Sequence, residues 1–355
     1  MRHLTPFLIG LGVLSCTGTG SPVPTGAEPF PSTFTNPIIT SRDAADPWVI
    51  RHGDHYFFTA TLEPEGGLWI WRSPTLTGLD SGEKVRVWAA PESGPLSSQI
   101  WAPELHYLRG RWYLYFTASD GEDANHRHYV LEARTEDPLG AYHPPVRVDP
   151  EWDRYAIDGS VLELPDGRLY WMYAAGGLFI APMTGPARAT GTAVQFADGT
   201  HEWERAWHRQ DGEWVRAPGY WVEAPQALVR NDRVFVVYSA GHSATPHYYL
   251  GLLELTGDDP LDPAAWVKRS EPVFAPYESG LGAVYTPGHN SFTTSPDGSE
   301  DWIVYHAKDV TTGGFSGRTT RAQPFGWHLD GTPAFGTPIP SGVPIPRPSG
   351  EGDQD

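Results

Sequence analysis

Cysteine is almost absent from this chain. Cys16 is the only one, so no intrachain disulfide can form and the fold must be held by its own packed core. Positive charge is also scarce: 25 Lys plus Arg stand against 43 Asp plus Glu, a net charge of −18. Such a surface repels phosphate backbones, which argues against nucleic acid as a partner. No apolar run is long enough to span a bilayer as a helix. Missing too is any long Ala/Glu/Lys/Leu stretch with helical period, and this excludes a helical solenoid.

Glycine (39), proline (35) and the aromatic residues (13 %) are present in quantity, the composition of many short strands joined by turns. The 355 residues suit one large all-β domain. The N-terminus reads Met1-Arg2-His3, then the apolar run from Leu4 to Leu14, then Ser15-Cys16 and a small-residue stretch to about Pro31. A basic start, a short apolar core and small residues describe an export signal. Cys16 at the end of the run resembles the lipidated cysteine of a bacterial lipoprotein, the alternative being an ordinary signal peptide cleaved slightly later. The expected organisation is a leader over 1–31, a folded domain over 32–340 and a disordered, Pro- and acid-rich tail over 341–355. Export would place the protein outside the cell, in the periplasm or lipid-anchored at the envelope. A membrane would be met only through Cys16, and a monomer is expected.

One pattern recurs five times: a polar turn, then an apolar strand ending in an aromatic, one variable residue and Ala. The copies are GDHYFFTA, GRWYLYFTA, GRLYWMYAA, DRVFVVYSA and DWIVYHA, anchored on Phe58, Phe116, Tyr173, Tyr238 and Tyr305, with spacings of 58, 57, 65 and 67 residues. Four short strands with generous loops fill such a period. The pattern predicts an all-β, five-bladed β-propeller.

A second motif lies 12 to 16 residues before each anchor, opening at Asp46, Trp101, Asp158, Glu223 and His289. If these begin the innermost strands, the five positions converge at one end of the central channel. Three carboxylates in one narrow pocket repel each other, which raises the pKa of at least one. Two carboxylates on opposite sides of a small polar substrate suit glycoside hydrolysis: one protonates the leaving oxygen, the other activates water or attacks the sugar. Trp101 would offer a flat apolar surface to a sugar ring.

The segments ADPWV, IWAPELHYL, AIDGSVLE, EAPQAL and PGHNSF together resemble glycoside hydrolase family 43, over about residues 36–340. The resemblance implies an inverting enzyme with Asp46 as general base, Glu223 as general acid and Asp158 as the residue that orients and tunes that acid. It implies a channel position for His289, beside a calcium or similar ion held through waters, and a substrate-positioning role for Arg321. It also implies a plant cell-wall oligo- or polysaccharide substrate, and the wider wording is similar to the exo-acting α-L-arabinofuranosidase branch. β-Xylosidase and endo-arabinanase are the alternatives within the family, and a non-catalytic carbohydrate-binding propeller is the alternative outside it.

Each assignment has a plainer rival. Asp46-Pro47 and Asp158-Gly159 could be turn residues, Trp101 a core aromatic, and His289 a satisfied core histidine. Asp43, Glu202, Glu204 and Glu213 read as loop surface, and Glu104 as a strand cap or cation partner. The segment 200–220 reads as a wall of the site, and 120–129 as a substrate rim or an ordinary hairpin.

Overall fold

A computed structural model describes residues 32–352 except Pro64 and Pro150. Cys16 and the rest of the leader lie outside the described residues. Five antiparallel sheets follow one another along the chain, each running from an innermost strand outward, with Tyr277–Ser279 also paired to the start of the fifth innermost strand. The innermost strands are Ala45–His52, Ser98–Leu108, Ile157–Glu163, Val222–Arg230 and Gly282–Thr294. Each contacts the next around the ring, and the fifth contacts the first. This is the five-bladed β-propeller that the repeat predicts.

The five recurring segments are the second strands, and their anchors Phe58, Phe116, Tyr173, Tyr238 and Tyr305 are all buried. They and their neighbours pack between blades. Five apolar clusters fill the five interfaces, one for each pair of adjacent blades. Trp71, Trp112, Trp171 and Trp302 are buried among them, and truncating such a side chain to Ala costs about 3–5 kcal/mol. With no disulfide available, these interfaces hold the ring.

Closure between the last blade and the first uses backbone bonds from the Ile38 and Ala44 amides to the Thr320 and Arg318 carbonyls, at 2.9 and 3.0 Å, together with side chains. The Asn36 amide donates to the Ala322 carbonyl and accepts from the Ala322 amide, at 3.0 and 2.9 Å. Ser291 Oγ accepts from the Val49 amide at 3.1 Å.

The C-terminal segment corrects the expectation of a disordered tail from residue 341. Ile345–Pro346 pairs with Thr33–Phe34. The Glu351 carboxylate accepts from the amides of Leu76 and Thr77 and from the Thr77 hydroxyl. The prolines that suggested disorder instead lower the entropy lost by an extended strap, and only residues 353–355 fall outside the described residues.

Candidate active site

All five innermost strands break register at the same place: between Ala45 and Trp48, Trp101 and Glu104, Ile157 and Ser160, Glu223 and Gln226, and Gly288 and Ser291. Each bulge contains a non-glycine residue in the left-handed region: Asp46 (φ 54°), Ala102 (45°), Asp158 (54°), Ala224 (51°) and His289 (44°). A bulge re-aims side chains, and left-handed backbone at a non-glycine residue stores strain of a kind that clusters at functional sites. The bulges also correct the expected alignment. Asp46, Asp158 and His289 occupy the left-handed position, whereas Trp101 and Glu223 stand one residue ahead of it. Glu223 therefore approaches the site from a different point of its strand than the two aspartates.

The bulged amides lock neighbouring blades. Ala102 donates to Thr61 Oγ1 at 2.7 Å, Ala224 to Asp158 Oδ2 at 3.1 Å, His289 to Ser239 Oγ at 2.8 Å and Asp46 to His306 Nδ1 at 3.1 Å. Because His306 Nδ1 accepts from that amide, its ring proton sits on Nε2. The 3.3 Å approach of Nδ1 to Asp46 Oδ1 is then a contact and not a donated bond. Burial pushes the His306 pKa down to about 3, so the ring is neutral at ordinary pH.

These strand ends open into a cavity of about 380 Å³, a size suited to a small-molecule site. It is lined by Asp46, Trp101, Asp158, Glu223 and His289, five of the six residues singled out by sequence. Arg321 is the exception. It is fully buried within the strand Thr319–Trp327 and pairs with Asp309 at 2.9 Å, away from the cavity. Arg318, in the loop just before that strand, lines the cavity instead and reaches Asp46 Oδ1 at 3.2 Å.

The three carboxyl groups sit in different fields. Burial would raise the Asp46 pKa, but the charges of His289 (Nδ1 to Oδ1, 3.2 Å) and Arg318 outweigh it and hold the group well below the usual carboxylate range. Thr61 donates to Oδ2 at 2.7 Å. Asp158 lies the other way: burial, reinforced by the like charges of Glu223 and Asp46, pushes it well above the carboxylate range despite His289. Burial opposes charge on His289 too, yet the surrounding acids, Asp46 and Asp158 foremost, raise it to about 9. Both oxygens of Glu223 are occupied: Oε1 accepts from the Tyr248 hydroxyl and Oε2 from Trp221 Nε1, each at 2.6 Å.

The walls come from loops. Trp101 lines the cavity with one ring face stacked on buried His126, centroids 4.2 Å apart, and its Nε1 donates to Glu63. His126 and the lining residue Asp123 come from the segment 120–129, which therefore supports the rim. The insertion before blade 4 forms the hairpin Arg205–Gln210 and Glu213–Tyr220, whose root delivers Trp221. Glu202 and Glu213 are exposed, as expected of loop surface. Glu204 corrects that reading: it is buried, pairs with Lys268 at 2.6 Å, and accepts from the Tyr238 hydroxyl and the amides of Thr200 and His201. It fastens the base of the hairpin. Asp43 is also more than solvated surface, since it lines the cavity edge and accepts from the Gly317 amide at 2.7 Å. Deeper in the channel, Glu104 joins the Gln226 amide and His106.

The expected ion finds no direct protein shell. Among the described residues no group of three or more His, Cys, Asp or Glu could hold a metal, and His289 turns Nδ1 to Asp46. This donor set fits only a cation held through waters; the amide of the neighbouring buried Asn290 has no partner at either atom among the described residues.

The chain is similar to known proteins. The sequence profile of "Glycosyl hydrolases family 43" matches residues 34–333. The "Extracellular exo-alpha-(1->5)-L-arabinofuranosidase" of Streptomyces avermitilis is 35% identical, over 97% of this chain and 72% of that protein. The protein of the same name from Streptomyces chartreusis is 36% identical, over 79% of this chain and 84% of its own length. Among solved structures, an α-L-arabinofuranosidase from Lactobacillus brevis superposes with a TM-score of 0.76 at 32% identity, covering 87% of this chain and 98% of that one.

Proposed function

The chain belongs to glycosyl hydrolases family 43 and is a glycosidase; from that premise we propose that it releases terminal α-L-arabinofuranosyl units, by inversion, from arabinan or arabinoxylan fragments. The observation that carries the mechanism is the pairing, in one cavity, of Asp46, held ionised, with Asp158, pushed well above the carboxylate range, beside Glu223. Asp46 is the general base: Oδ2, with Thr61 as its one donor, keeps a lone pair for a proton from water. Glu223 is the general acid. As the bond from the anomeric carbon to the leaving oxygen breaks, Glu223 gives that oxygen its proton, water adds to the carbon, and the water's proton passes to Asp46. Asp158 holds the Ala224 amide next to Glu223 and sets a further carboxyl group in the same cavity.

The arabinoside preference rests on the relatives above, whose printed names specify exo-acting arabinofuranosidases. Exo action is supported by the bounded cavity, walled by Trp101 and Trp221 and by the loop carrying Phe315. The two relatives named extracellular support export through the N-terminal leader. A calcium-class ion held through waters near His289 and Asn290 would add positive charge to an acid-rich channel. Dialysis against a chelator then lowers the melting temperature, and re-addition of calcium restores it.

The test is a screen of nitrophenyl α-L-arabinofuranoside, nitrophenyl β-D-xyloside and linear arabinan with the wild type and Glu223→Ala. The expected result is turnover of the arabinofuranoside, arabinose as the first product from arabinan, and a large loss on arabinan in the variant. Preference for the xyloside, or a first product of several sugars, overturns the substrate assignment.

A further inference from the structure

Trp221 is used by nothing derived so far except as a wall. It sits two residues before Glu223, and the two-residue period of an extended chain puts both side chains on one face. The consequence is the 2.6 Å bond from the indole N–H to Glu223 Oε2. The other oxygen is held by Tyr248, a buried residue whose ring lies parallel to His306 and against Gly288, where even a Cβ would meet it at 2.4 Å. Tyr248 is therefore a fixed partner.

Trp221 differs in each respect. Its side chain reaches the rim and the residue is 38% exposed. Its backbone is tied down, with its amide donating to the Glu204 carbonyl at 2.9 Å and its carbonyl accepting from the Gly241 amide at 3.1 Å. The pair of buried Glu204 with half-buried Lys268 thus fixes where the indole hangs. Trp221 lines both the main cavity and a side cavity of about 40 Å³ that also touches Glu223, Tyr155 and Asp198, large enough for a water or two but not for a sugar. An indole N–H donates and cannot accept, so Trp221 can orient the carboxyl group without competing for the proton that the group must deliver.

We propose that Trp221 is the positioning residue of the acid half of the reaction: it aims Glu223 Oε2 at the leaving oxygen and forms the wall that the leaving group meets. This rests on the reading of Glu223 as the general acid. A leaving group that is already a stable anion needs little protonation, whereas a sugar alcohol needs it fully. Loss of the indole N–H therefore penalises substrates in proportion to the basicity of the leaving group.

The experiment measures kcat for a series of aryl α-L-arabinofuranosides, from dinitrophenyl to phenyl, and for an arabino-oligosaccharide, with the wild type, Glu223→Ala, Trp221→Phe and Trp221→His. For Trp221→Phe, the loss on the phenyl glycoside and the oligosaccharide exceeds that on the dinitrophenyl glycoside by about tenfold or more, and the alkaline limb of the pH profile shifts. Trp221→His, which restores a ring N–H, recovers part of the difference. Equal loss across the series in Trp221→Phe, or no recovery in Trp221→His, overturns the proposal provided Glu223→Ala shows the steep dependence. If Glu223→Ala itself shows none, the assignment of the acid fails first.

Discussion

Asp46 and Asp158 occupy equivalent positions in the first and third blades, in the same left-handed conformation (φ 54° each), and both are buried. Their surroundings differ. Both feel the charge of His289, but Asp46 adds the Arg318 guanidinium and the Thr61 hydroxyl, while Asp158 adds the like charge of Glu223 and has the Ala224 amide as its hydrogen-bond donor. The repeat therefore sets where a carboxyl group stands, and the loops of neighbouring blades set its charge. Pushing the pKa values of like groups apart lets one site hold an ionised base and a protonated carboxyl group together.

The sharpest way to break this comparison is to remove the charge from each aspartate in turn. Asp46→Asn should lower kcat by about 10³-fold on every substrate, good leaving groups included, because the water loses its base. Asp158→Asn keeps an oxygen for the Ala224 amide and should cost only about 10- to 100-fold, with the alkaline limb of the pH profile moved to lower pH. Equal losses in the two variants, read from kcat over a range of pH, would erase the difference in role.

A smaller effect sharpens the electrostatic half. Arg318→Gln removes one of the charges that hold Asp46 ionised, so the Asp46 pKa rises and the acidic limb of activity moves to higher pH, with about a tenfold loss at the optimum. Stability should follow with opposite signs at the two aspartates. The depressed Asp46 contributes stability that is present above the ordinary value of 3.8 and lost as pH falls through its lower folded value. The raised Asp158 contributes stability that is present below 3.8 and lost as pH rises through its higher folded value. Urea midpoints measured against pH check both: Arg318→Gln weakens the first contribution and Asp158→Asn abolishes the second.

The architecture was legible in the sequence because every blade repeats its second strand, and apolar packing between blades makes that strand the least variable part of the design. Five positions that line the cavity were legible to within one residue of the bulge, whereas Arg321 lay three residues from the arginine that lines it. Aligning prolines would have removed the offset: Pro47, Pro103 and Pro225 each follow a left-handed residue, which makes Ala102 and Ala224, not Trp101 and Glu223, the counterparts of Asp46.

Arg318 could have been found by counting strand directions. Innermost strands begin at the cavity, second strands end there, and third strands begin there again. The residue just before Thr319–Trp327 is thus at the mouth, and Arg321 is already inside the sheet. Tyr248 opens the third strand of blade 4 for the same reason. Trp221 and Glu204 had no such signal, since a polar, Trp-rich insertion reads as surface until its anchor on Lys268 is seen. The tail was misread because composition cannot show that Glu351 meets the free amides of Leu76 and Thr77.

The most direct test of the base and acid assignment is the proton NMR time course of an aryl α-L-arabinofuranoside with the wild-type protein, recorded before the free sugar mutarotates. Water delivered by Asp46 from the face opposite the leaving group gives β-L-arabinofuranose as the first product. Appearance of the α anomer first would mean that a carboxylate attacks the sugar itself, and would contradict the account.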